Sequence, residues 1–108
     1  MVDKLIGRTG VVAGSDFLLQ PEVAVIRLGS SPTNDICIRD EAVSRVHASI
    51  VRRNEQCWIE DAGSTNGTFV NGERIKAERL RHLDVVTLGR RIDLIFIENA
   101  VREPRSKC

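Results

Sequence analysis

The chain has 108 residues, of which sixteen are Lys or Arg and fifteen are Asp or Glu, giving a formal net charge of +1. A domain of this size can bury a core without disulfides or metal, and 42% hydrophobic with 29% charged residues excludes disorder as the main reading. The near-neutral balance supplies no global field for nucleic acid or an anionic membrane. No apolar run approaches the ~20 residues that span a bilayer. The N-terminal Met1-Val2-Asp3-Lys4 lacks a secretory h-region, so a cytoplasmic protein is expected.

In chain order, Leu5–Val12 is expected to be an edge strand. Short strands follow at Phe17–Leu19, Val23–Leu28, Ile36–Ile38, Ala48–Arg52, Cys57–Glu60, Thr68–Val70, Val85–Leu88 and Ile92–Ile97. Several alternate with period two: Ala48, Ile50 and Arg52 oppose Ser49 and Val51, and Trp58 opposes Ile59. Between them lies turn chemistry: Ser31-Pro32-Thr33-Asn34, Arg53-Asn54-Glu55, Gly63-Ser64-Thr65-Asn66-Gly67 and Asn71-Gly72. Asn-Gly signals a hairpin because a type I′ turn needs positive φ at both central residues. Glu73–Leu83 contains good helix formers, but Ile75, Leu80 and Leu83 miss a helical stripe, so it reads as a strand fragment and a turn. Many short strands at such spacing predict an all-β sandwich or barrel. Residues 1–100 are read as the domain and 101–108 as a polar tail or the start of a linker.

Cys37, Cys57 and Cys108 form no CxxC pair, and His47 and His82 complete no metal-ligand spacing, so neither metal nor cofactor is expected. Cys37 and Cys57, set among apolar neighbours, read as small reduced core residues. Arg52-Arg53, Arg74, Lys76, Arg79, Arg81 and Arg90-Arg91 lack interleaved aromatics for base stacking and read as solvated strand ends and loops, not a nucleic-acid surface.

Ser44-x-x-His47 places a hydroxyl three residues before an imidazole, yet a nucleophile also needs an orienting acid and an oxyanion hole, and no elbow such as Gly-x-Ser-x-Gly is present. Gly63-Ser64-Thr65-Asn66-Gly67 lacks the Lys of a P-loop and leads into a strand, so nucleotide binding is not expected. An enzyme is therefore the remote reading.

Three stretches together are far more specific: Leu28-Gly29-Ser30-Ser31-Pro32-Thr33-Asn34-Asp35-Ile36, Val43-Ser44-Arg45-Val46-His47-Ala48, and Asp61 through Gly72. In order and spacing they resemble the forkhead-associated (FHA) family from about Phe17 to Ile97. The resemblance implies a two-sheet β-sandwich of about ten or eleven short strands that binds phosphothreonine peptides through loops at one end. It implies that Ser44 donates to a phosphate oxygen, that Arg45 reaches phosphate, that Thr65 helps hold the phosphothreonine and that Asn66 bonds the peptide backbone. Gly29, His47, Gly63 and Gly67 are the corresponding structural supports, with His47 tying loops together.

The chain departs from the pattern at three places. Ser30 stands where the family commonly has a phosphate-pairing arginine, and a hydroxyl is a weaker partner for a dianion than a guanidinium. Val46 replaces a frequent second basic residue, and Leu83 stands where a glycine is usual. Two functions follow as expectations. The first is a phosphothreonine-peptide module that uses Ser30, Ser44, Arg45, Thr65 and Asn66, weakened by Ser30, with a Ser/Thr kinase or its substrates as partners. The alternative is a phosphate-independent protein–protein scaffold with a degenerate site.

Overall fold

A computed structural model describes residues 2–100; Cys108 and the 101–108 tail lie outside the described residues. Eleven strands build two sheets: β1 Val2–Gly7, β2 Asp16–Leu19, β3 Val25–Gly29, β4 Ile36–Cys37, β5 Ala48–Arg53, β6 Gln56–Asp61, β7 Thr68–Val70, β8 Glu73–Arg74, β9 Ala77–Arg79, β10 Val85–Leu88 and β11 Ile92–Ala100. One sheet has six strands in the order β2-β1-β11-β10-β7-β8, and the other has five in the order β4-β3-β5-β6-β9. The pairing of β3 with β4 is parallel. The all-β sandwich expected from the sequence is the observed architecture.

The core follows from strand parity. Along β11, Ile92, Leu94 and Phe96 are fully or almost fully buried while Asp93, Ile95 and Ile97 are half-buried. On the facing sheet Leu28, Ile50 and Ile59 point inward at 0–2% exposure. Each such side chain stabilises the fold by about 1.5–3 kcal/mol through loss of apolar contact with water. Truncating Leu94 to Ala would cost roughly 2–5 kcal/mol, because a close-packed interior relaxes only partly around a cavity. Asn71-Gly72 forms the expected turn, with φ of 51° and 88°, and sets Val70 opposite Glu73.

Three expectations are corrected. The N-terminal strand ends at Gly7, Gly10–Val12 is a single 3₁₀ turn, and β1 lies between β2 and β11, so it is not an edge. Cys37 is exposed because β4 alternates, with Ile36 and Ile38 taking the inward positions. Arg52 is no solvated strand end. It ion-pairs with the buried Asp3 at 3.3 Å and donates to the Leu19 carbonyl at 3.2 Å. Cys57 donates its thiol to the same carboxylate, and burial together with that bond pushes its pKa up to about 12.

The loops after β3, β4 and β6 meet at one end of the sandwich. Gly29 permits this contact: a Cβ there would lie 2.2 Å from the Arg45 carbonyl oxygen. Backbone bonds then stitch the loops, from Ser30 N–H to Ser44 O at 2.9 Å and from Ser31 N–H to Arg45 O at 3.2 Å. The buried Asn34 side chain donates to both Ser31 O and Arg45 O, at 2.8 and 2.7 Å.

Candidate functional site

Ser30, Ser44, Arg45, Thr65 and Asn66 line one open groove across these loops, together with Glu41, Val43 and Gly63. The structure thus brings together all five side chains expected to contact a ligand. Ser44 carries the clearest chemistry. Its Oγ accepts the Thr65 amide at 3.0 Å, so its own proton remains available to donate. Asn66 commits its amide nitrogen to the Ala42 carbonyl at 3.1 Å, leaving its carbonyl oxygen as an acceptor for a ligand N–H. Arg45 is exposed and has no carboxylate partner among the described residues.

His47 lies beneath the groove at 0% exposure. Its Nδ1 accepts the Ser44 N–H at 3.0 Å, which puts the ring proton on Nε2 to donate to Gly67 O at 2.9 Å. It therefore fixes the loops before Ser44 and after Asn66 relative to each other. Burial depresses its pKa below the ordinary 6.5, against the opposing pull of the Gly67 carbonyl and the Asp61 charge. With both nitrogens occupied by backbone groups, the imidazole does not act as a general base on the Ser44 hydroxyl. The nucleophile reading has no geometric support.

Asp61 organises the loop that follows β6, a role the sequence reading missed. Its Oδ1 accepts the Ser64 and Thr68 hydroxyls at 2.5 and 2.7 Å, and its Oδ2 accepts the Gly63 and Ser64 amides at 3.0 and 3.2 Å. Burial alone would raise its pKa, but these donors outweigh that effect and hold the carboxyl below its ordinary value. Ser64 in turn accepts the Gly67 amide at 3.0 Å. The local signal was an acid followed two and three residues later by amides it can cap. Gly63 and Gly67 sit at φ of 80° and 93°, the left-handed backbone this loop needs.

Glu41 was also missed. It places a carboxylate on the groove beside Arg45, and nothing in a loop sequence announces such proximity. A second cleft, at the far end of β5 and β6, is lined by Asp3, Glu55 and Glu98 as well as Arg52. Its three carboxylates suit an anion poorly.

The FHA domain family model matches residues 26–89. The chain is 43% identical over 76 residues to an ABC transporter ATP-binding/permease protein of Mycobacterium tuberculosis, covering 70% of this chain and 9% of that protein. It is 38% identical over 93 residues to the glycogen accumulation regulator GarA of the same species, covering 86% of this chain and 56% of GarA. This chain therefore spans only part of the length of these relatives. Mycobacterium tuberculosis EmbR in complex with a low-affinity phosphopeptide superimposes with a TM-score of 0.82 at 31% identity, over 95% of this chain and 26% of that one. Because the family model matches more than half of the chain and the matched segment includes every groove residue, the chain belongs to the FHA domain family.

Proposed function

We propose that the chain is a phosphothreonine-peptide-binding interaction module of Ser/Thr kinase signalling, with a phosphorylated kinase or its substrates as partners. The Ser44 hydroxyl carries this reading: with the Thr65 amide on its oxygen, its proton is free to donate to a ligand in the groove that Arg45, without a carboxylate partner among the described residues, also lines. A phosphate would take one hydrogen bond from Ser44 and a charge-assisted contact from Arg45, while Asn66 Oδ1 receives a peptide N–H. No bond is made or broken; phosphorylation changes affinity. The phosphopeptide in the EmbR complex and the resemblance of the three motifs support the same chemistry. Cytoplasmic action fits this role, and no helix among the described residues is long and apolar enough to cross a membrane.

Ser30 and Glu41 favour a second reading, a scaffold that binds partners without phosphate, because one removes a cation from the groove and the other adds an anion. Binding to a degenerate phosphothreonine peptide library, with unphosphorylated and phosphoserine controls, separates the two. The module predicts a clear preference for phosphothreonine that Ser44→Ala reduces. Equal affinity for plain and phosphorylated peptides leaves the scaffold.

A further inference from the structure

Position 30 lacks a guanidinium, yet the neighbouring strand delivers one beside it. Strand β4 runs parallel to β3 with Cys37 opposite Gly29, and the Ile38 amide extends that register to Gly29 O at 2.8 Å. The Cys37 thiol reaches the Ser30 carbonyl at 3.6 Å. Ile38 is fully buried, so Arg39 returns to the solvent side that Cys37 occupies, one residue nearer the loops than Ile38. There the Asp40 amide closes a tight turn on Ile38 O at 3.1 Å, which places Arg39 at its apex. Arg39 does not line the groove that holds Ser44, Thr65 and Asn66; with Ser31 it lines an adjoining open groove that shares Ser30, Glu41 and Arg45 with the first.

The charge on Arg39 is also uncommitted. The nearest acid in sequence, Asp40, is occupied: its Oδ1 accepts the Ala42 amide at 2.8 Å and pairs with Arg91 at 3.3 Å. Glu41 shares the groove but forms no ion pair with Arg39 among the described residues. The Asp40 carboxylate is thus tied to Arg91 and the Ala42 amide.

We infer that Arg39 supplies the phosphate-pairing guanidinium that position 30 lacks, so that charge recognition here comes from Arg39 and Arg45 on either side of Ser30. The inference rests on the phosphopeptide reading and specifies which residues read the charge. A guanidinium approaching from β4 can form charge-assisted bonds to phosphate oxygens while Ser44 donates from the opposite loop. Because Arg39 is exposed and its side chain makes no ion pair among the described residues, replacing it should leave the fold intact.

The test is fluorescence anisotropy with a phosphothreonine peptide library of randomised flanks and its unphosphorylated twin, for wild type, Arg39→Ala, Arg39→Lys and Ser30→Arg/Arg39→Ala. Arg39→Ala should weaken phosphopeptide binding roughly tenfold or more, each tenfold being about 1.4 kcal/mol, with an unchanged thermal midpoint. Arg39→Lys should retain part of the affinity, and moving the guanidinium back to position 30 in the double variant should restore it. If wild type prefers phosphopeptide and Arg39→Ala binds it equally well, the assignment to Arg39 is wrong and the module stands. If wild type shows no preference for phosphate, both fall together.

Discussion

Removing the Asp61 carboxylate should damage fold and binding together, because its four hydrogen bonds shape the loop that carries Thr65 and Asn66. In Asp61→Ala the Thr68 hydroxyl, in a residue at 0% exposure, loses its acceptor, and so does the 8%-exposed Ser64. A buried polar group left without a partner costs about 1–3 kcal/mol, so the pair implies a loss of about 3 kcal/mol. For a domain near 100 residues that lowers the thermal midpoint by roughly 12–24 °C. Asp61→Asn keeps one carbonyl oxygen and should fall between. The pH dependence has a definite sign. A carboxyl held below its ordinary 3.8 in the fold is more readily protonated in the unfolded chain, so stability rises with pH across that window. It is fully present above the ordinary value and is lost as pH falls through the folded value. Thermal melts of wild type, Asp61→Ala and Asp61→Asn between neutral and strongly acidic pH test this. A midpoint for Asp61→Ala within a few degrees of wild type at neutral pH would refute the role given to the carboxylate.

Leu83 adopts φ of 73° with its side chain 59% exposed; Leu83→Gly should relieve that strain and add about 0.5–1 kcal/mol of stability, seen as a thermal midpoint a few degrees higher, and an unchanged midpoint would count against strain. Glu41→Gln removes a like charge from the phosphate's surroundings and should tighten phosphopeptide binding about threefold to tenfold, an effect that shrinks as salt is raised and is absent for the plain peptide. His47, neutral in the fold with its pKa depressed, should make stability decline as pH falls below 6.5, and His47→Ala should be less stable at neutral pH but lose this slope. Chemical denaturation is the proper readout, since a bound phosphate itself titrates near pH ~6.

Much of this fold was legible because its strands are local in their signals. The bounds of β7 and β10 match the sequence reading residue for residue, since turn residues flank short β-branched runs. What failed was non-local. The strand expected to begin at Leu5 begins at Val2, because Arg52, Cys57 and the Asn99 amide, all far along the chain, partner the buried Asp3. The apolar neighbours of Cys37 suggest a buried thiol, whereas strand parity, with Ile36 and Ile38 inward, places it on the outer face. Within the candidate site, Ser44, Thr65 and Asn66 belong to motifs whose spacing marks them in the sequence, and the structure places them on one groove. Arg39 and Glu41 are not marked in the sequence, because their placement at the grooves depends on where the loop turns after β4.

The tolerance of serine at position 30 follows from how the platform is built. The Ser30 amide is fixed to Ser44 O, Gly29 contacts the Arg45 carbonyl, and Asn34 seals both loops. None of these bonds uses the side chain at position 30, which is only half-buried at the groove edge. Its identity can therefore change without disturbing the loops, and charge can migrate from one strand to its neighbour. This gives Ser30→Arg a conditional outcome. In wild type, a new guanidinium meets Arg39 and Arg45 in the same groove, and repulsion in the free protein adds to whatever attraction the phosphate gains. In an Arg39→Ala background it meets only Arg45. The affinity gain from Ser30→Arg should therefore be larger in the Arg39→Ala background, by roughly tenfold if the two arginines serve one phosphate. Equal gains in both backgrounds, read by titration calorimetry with phosphorylated peptide, would show that positions 30 and 39 act independently and that Arg39 does not substitute for the missing arginine.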